Sequence, residues 1–194
     1  MFRPGYHPSM TPPDLVLEAI AAELSRRPAA SMQELAAAAG IGRTTLHRRF
    51  ATRFDLVRAV AAHALGEADR IFDAVGLDDA PPAAALDRLA DEVMGLALAY
   101  ALLFADATLE ADAGLAAEVE RQDARLERFV ARAQRDGVLR ADLPARWIVF
   151  SLGAQASALW WAVRDEHLGR RQAPALFRTT VLDGLAARAA GGGS

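Results

Sequence analysis

The sequence predicts an all-α protein, with a three-helix helix-turn-helix head at the N-terminus joined by a long fourth helix to a second helical domain. Three observations carry that expectation. About 45 of the 194 residues are alanine, which loses no side-chain entropy in a helix and ranks first in helix propensity. Apolar residues recur at i, i+3, i+4 and i+7, as in Leu17, Ile20, Ala21 and Leu24, the period of a helix with one face toward a core. Starts and stops are also marked. Ser31 stands three residues before Glu34 and Thr52 three before Asp55, so that hydroxyl and carboxylate can satisfy the free amides of a first turn.

The elements follow in order. Residues 1–10 read as a flexible leader. Thr11, Pro12, Pro13 and Asp14 open the first helix with a hydroxyl cap, proline where no amide partner is needed and an acid near the positive helix end, and Arg26, Arg27 and Pro28 close it. A short second helix runs from the Ser31 cap to Gly40, and a third from Arg43 to Phe50. A fourth, opened by Thr52, runs to about Val75. Gly76 to Pro82 is a linker. Residues 83–106 are apolar on every side and read as one helix buried on more than one face. Residues 115–136 are amphipathic and stop at Gly137. Asp142 and Pro144 open an apolar helix to about Glu166, a last helix spans about Gln172 to Arg188, and 191–194 form a flexible tail.

Charge is unevenly distributed. All 22 basic residues are Arg; residues 1–64 hold 8 against 5 acids, whereas residues 65–194 hold 14 against 20. A polyanion is therefore expected at the front. Cysteine is absent, which excludes disulfides, thiolate catalysis and Cys-ligated zinc. The first residues have no apolar core of a secretion signal. Residues 93–109 and 144–163 are interrupted by Asp106 and by Arg146 and Gln155, so buried helices are expected instead of membrane spans. A cytoplasmic protein without membrane association is expected.

Residues 31–50, SMQELAAAAGIGRTTLHRRF, carry the functional signal. Two short helices crossing at a tight turn need a small residue at the crossing, a glycine able to take positive φ, and an aliphatic residue packing back. Ala36, Gly40 and Leu46 stand at those places, with Leu35, Ile41 and Phe50 completing a small core. The outer face of the second helix is left with Arg43, Thr44, Thr45, His47, Arg48 and Arg49, and Arg53 follows. Arg can donate two hydrogen bonds to guanine O6 and N7, and hydroxyls and backbone amides hold phosphates. That chemistry suits a major groove.

On these residues the segment 11–58 resembles the DNA-binding domain of the tetracycline-repressor (TetR) family. The family's T-L-Y-x-H-F pattern, followed by Lys and Leu, corresponds to Thr45, Leu46, His47, Arg48, Arg49, Phe50, Arg53 and Leu56. His47 stands where the family has Tyr, Arg49 where it has His, and Arg53 where it has Lys. The stretch Gly137 to Pro144 resembles the family's turn into its first dimer helix. The resemblance implies that Arg43 and Thr44 face base edges, that Arg49 faces a base or phosphate, and that Thr45, His47 and Arg53 hold phosphates. Arg48 belongs to the same surface, and Ser31, Met32 and Gln33 approach the DNA backbone.

It further implies that residues 59–190 are a ligand-binding and dimerisation domain. Met94, Tyr100, Phe104, Gln122, Trp147, Gln155, Trp160 and Trp161 are candidates to line a small-molecule pocket, and Asp106 is either an orienting acid or part of an exposed acidic turn. Ser151, Ala154, Gln155, Ala158, Leu159, Val181 and Leu185 are candidates for the dimer interface, so Gln155 stands in both groups. His63 and Glu67 lie i, i+4 but lack a third ligand, and no metal or cofactor is expected. The chain has no P-loop, dinucleotide-type glycine pattern, H-E-x-x-H or G-x-S-x-G element, and no enzymatic activity is expected. The implied function is a homodimeric regulator, most simply a repressor released from a near-palindromic double-stranded operator by a small apolar or amphipathic effector. The competing reading is a helical small-molecule-binding or scaffold protein whose DNA-binding head is non-functional.

Overall fold

The computed structural model describes residues 13–105, 109 and 111–186, without the side chains of 13, 100 and 102–105. It is all-α apart from one isolated bridge between Leu139 and Ala186. The chain forms two compact units, Met1–Val60 and Ala61–Ser194.

The first unit holds α1 (Pro13–Arg26), α2 (Met32–Ala38), α3 (Arg43–Arg49) and the start of α4 (Arg53–Ala74). The turn after α2 depends on Gly40, whose φ of 66° lies in the left-handed region that side chains disfavour. Ile41 N–H then donates to Ala36 O at 3.0 Å and closes the turn. Val16, Ile20, Leu24, Leu35, Leu46 and Leu56 are buried together in this unit, while Ile41 and Phe50 are only half-buried. Leu46 is the one buried residue of α3. It fastens the helix by one side and leaves the other side to water.

The second unit contains the rest of α4 together with α5 (Pro82–Asp91), α6 (Val93–Ala105), α7 (Ala113–Arg135), α8 (Ala145–Arg164) and α9 (Ala173–Phe177). The helix expected over 83–106 is two helices, broken at Glu92. Leu86 and Leu89 of α5 and Val93, Leu96 and Ala97 of α6 are all buried, and the break lets two apolar stripes meet different neighbours. Gly95 permits the close approach of α6 to α4, since a Cβ there would lie 2.8 Å from Ile71 Cδ1. The last expected helix is likewise interrupted. After α9 the chain makes a π-helical stretch, Arg178–Leu182, and a single turn, Asp183–Leu185. Gln134 Nε2 donates to the carbonyls of Arg140 and Leu143, at 3.0 and 2.8 Å, and so holds the turn between α7 and α8. Among the described residues no helix is long and apolar enough to cross a membrane, and no three acidic or His side chains gather as metal ligands.

Candidate nucleic-acid interface

Once Leu46 has turned inward, the i, i+3, i+4 geometry of α3 leaves Arg43, Thr44, His47 and Arg48 exposed, with Thr45 and Arg49 half-buried beside them. No ion pair engages Arg43, Arg48 or Arg49 among the described residues. His47, Arg48 and Arg49 occupy the last turn of α3, where the partial negative charge of the helix end favours cations. The result is a short helix whose solvent face is basic and hydroxyl-bearing.

The first turn of α2 is rigidly capped. Ser31 N–H and Oγ–H donate to Glu34 Oε2 at 2.7 and 2.8 Å, and Glu34 N–H donates to Ser31 Oγ at 3.3 Å. The Ser31 amide, then its hydroxyl, then the Arg27 guanidinium hold the Glu34 carboxyl down to about 2. Ser31 and Gln33 remain exposed and Met32 half-buried.

Arg53 is engaged within the fold. Its guanidinium is turned into the first unit, where Nη1 donates to Ala30 O and Nη2 to Pro28 O, each at 2.5 Å. The family resemblance made it a phosphate ligand; in this chain Arg offers a fork where the family has Lys, and the fork bridges two carbonyls.

In the second unit the expected ligand and dimer residues fall in different surroundings. A cavity of about 30 Å³ is lined, among the described residues, by apolar side chains that include Phe72, Leu126, Leu152, Ala156 and Phe177, with Gly153 beside them. Among the described side chains, none of the expected ligand residues lines it. Met94 is buried elsewhere on α6, and Gln122 is buried with Nε2 donating to Leu65 O at 2.8 Å. Trp147 and Trp161 are 59% and 43% exposed, Gln155 is exposed and Trp160 half-buried, because the helix period turns 147, 155 and 161 away from the core. The side chains of Tyr100 and Phe104, and Asp106 altogether, lie outside the described residues.

The expected dimer residues divide in the same way. Ala154, Gln155 and Ala158 are exposed on α8 and Ser151 is half-buried, whereas Leu159, Val181 and Leu185 are buried. Trp147, Phe150 and Trp161 are also exposed on α8, and Leu176 is exposed on α9. The spacing 147, 150, 154, 158, 161 was present in the sequence as a signal. It was obscured because large aromatics suggest a core.

A capped two-helix turn carrying an exposed basic second helix, in a chain that also has a helical second unit, defines a helix-turn-helix regulator. The model of the bacterial regulatory proteins of the tetR family matches residues 16–60. The transcriptional regulator NfxB of Pseudomonas aeruginosa is 33% identical over 137 residues, covering 67% of this chain and 71% of that protein. The transcriptional repressor LfrR of Mycolicibacterium smegmatis is 28% identical over 170 residues, 88% of each chain. The crystal structure of LfrR with proflavine superposes with a TM-score of 0.73 at 26% identity, over 90% of this chain and 96% of that one. The chain belongs to the TetR family of ligand-responsive, DNA-binding transcriptional regulators, whose members typically bind DNA as homodimers and respond to small molecules.

Proposed function

We propose that this chain is a cytoplasmic, non-enzymatic repressor that binds a near-palindromic operator as a homodimer and leaves it when a small apolar or amphipathic molecule occupies the second domain. We take residues 11–58 as the DNA-binding head and 59–190 as the effector and dimerisation domain. The observation that carries the reading is the outer face of α3, where Arg43, Thr44, His47 and Arg48 are exposed. In it, Arg43 and Thr44 meet base edges, Arg49 a base or phosphate, and Thr45 and His47 phosphates. Arg48 and the first turn of α2 (Ser31, Met32, Gln33) run along the backbone. Two such helices in a dimer meet successive major grooves about 34–36 Å apart.

The dimer face is the exposed side of α8, with Trp147, Phe150, Ala154, Gln155, Ala158 and Trp161. Large apolar exposure rarely stands without a partner, and the alanines let two helices approach. The effector site is the apolar cavity. Its volume of about 30 Å³ holds about two waters by the usual measure of one per 10–15 Å³, so an effector must widen it. Phe72 of α4 is one wall. An occupant that prefers a widened cavity displaces α4, and only such a difference in affinity between two conformations can release DNA.

Binding sequences selected from random duplexes, then titrated against scrambled duplex at two salt concentrations, test the reading. The expected outcome is a symmetric consensus whose affinity falls steeply with salt. Proflavine, the planar aromatic molecule found with LfrR, serves as the first effector probe and is expected to release the duplex. Weak, sequence-blind binding would instead favour a small-molecule-binding protein with an idle head.

A further inference from the structure

We propose that Arg53 is a positioning residue for DNA binding: it clasps the turn before α2 and sets where the first turn of α2 meets the DNA backbone, without itself holding a phosphate. The inference rests on the DNA-binding reading above and concerns how that surface is built.

Arg53 is the first residue of α4, fixed by its neighbours. Thr52 N–H and Oγ–H donate to Asp55 Oδ2 at 3.0 and 2.8 Å, and Asp55 N–H returns a bond to Thr52 Oγ at 3.1 Å. From this anchored start the guanidinium spans 23 and 25 residues of sequence to reach the carbonyls of Ala30 and Pro28. Ala30 is buried and immediately precedes Ser31, the N-cap of α2. The clasp therefore acts one residue before the cap that orients Ser31, Met32 and Gln33. Arg27, on the other side of the same turn, pairs with Glu34 inside that cap. Two arginines thus hold the turn from both ends.

The chemistry is specific to a fork. Arg presents planar donors that bridge two acceptors at once, whereas Lys is a point donor on a flexible stem that serves a phosphate equally well. A phosphate role predicts that Arg53→Lys keeps affinity, and that Arg53→Gln lowers the salt slope by about 0.9 per protomer. The clasp predicts the opposite pattern. Arg53→Lys and Arg53→Gln both weaken operator binding, by about tenfold, the scale of a charged hydrogen bond, with the salt slope unchanged.

The experiment measures operator affinity at four salt concentrations for the full-length wild type, Arg53→Lys, Arg53→Gln, Gln33→Ala and the double variant Arg53→Lys/Gln33→Ala, well below their melting temperatures. Hydrogen exchange of residues 29–33 is followed in the DNA-free proteins. If Arg53 acts through α2, Gln33→Ala costs much less in the Arg53→Lys background than alone, and exchange at 29–33 quickens in both Arg53 variants. A general loss of stability produces neither the non-additivity nor an effect confined to this turn. The inference is overturned by wild-type affinity in Arg53→Lys, by a reduced slope in Arg53→Gln, or by unchanged exchange at 29–33. Sequence-blind binding by the wild type overturns the DNA-binding reading and this inference with it, and is told apart by appearing before any substitution is made.

Discussion

The arginines of α3 and three arginines of α7, Arg121, Arg125 and Arg132, are the same side chain put to opposite uses. On α7, Arg125 is 12% exposed and pairs with Asp69, Asp73 and Asp78, at 3.4, 2.6 and 2.6 Å, while lying 5.8 Å over the Phe72 ring. Arg121 pairs with Asp69 and Glu118. Arg132 donates to the carbonyls of Leu77, Asp78 and Ala80, the turn that follows α4. On α3, Arg43 and Arg48 face water. A cation with its acids beside it is already satisfied within the fold; one held on a rigid helix without an acid keeps its charge for an external anion. Arg density alone does not distinguish them. Arg53 makes the point, because it lies beside the α3 cluster in sequence and yet belongs with the engaged group.

Four substitutions or titrations sharpen that contrast. The largest effect is expected from Arg43→Ala, which on the proposed docking removes a base-facing fork from each half-site. A loss of about 1–3 kcal/mol per half-site, with relaxed sequence preference, is expected by fluorescence anisotropy on the selected operator and a scrambled duplex, and the melting temperature should not move. Unchanged affinity would place the reading helix elsewhere.

Arg125→Leu is the converse. Its loss leaves Asp73 of α4 and Asp78 of the turn after it without their partner, while Asp69 keeps Arg121, and since Asp73 and Asp78 are largely solvated the cost is only about 1–2 kcal/mol. Thermal denaturation should shift down by about 2–8 °C for a chain of this length, with operator affinity of the folded protein within about twofold of wild type, as for distant independent sites. A variant that melts normally but binds DNA poorly would break the comparison.

Acid titration tests the caps and pairs together. Glu34 is held down to about 2 by the Ser31 amide and hydroxyl and by Arg27, and Asp78 is held below its ordinary 3.8 chiefly by its hydrogen bond from Arg125. A carboxylate depressed in the folded state stabilises fully above its unfolded pKa, and that stability is lost as pH falls through the folded value. Denaturant midpoints should therefore decline below about pH 4.5 toward pH 2, and Glu34→Gln should flatten part of the decline. The same midpoint at pH 3 and pH 7 would contradict both pairings.

The smallest effect belongs to Asp123. Burial pushes its carboxyl up, against the pull of Arg146 at 3.6 Å. For an acid raised in the folded state the sign reverses: stability is lost as pH rises from the unfolded pKa through the folded one. Asp123→Asn should raise the melting temperature slightly at pH 7 and leave it unchanged at pH 3. A lower melting temperature at pH 7 would make the Arg146 pair the dominant influence.

The order and type of most helices were legible in the sequence because their signals are local. The Ser31 and Thr52 caps, Gly40 and Gly137 at positive φ, and the apolar period of α1 each act within a few residues. So does the exposed basic face of α3, since it follows from Leu46 being buried and the helix period. The break at Glu92, the π-helical stretch Arg178–Leu182 and the inward turn of Leu159, Val181 and Leu185 were decided only in three dimensions. An alanine- and leucine-rich helix carries weak information about which face is inside, and neighbours at large sequence separation settle it. The fate of each arginine was decided there too. A guanidinium reaches far enough to choose among acids and carbonyls 23 to 56 residues away, and only the packed chain shows which of them it meets.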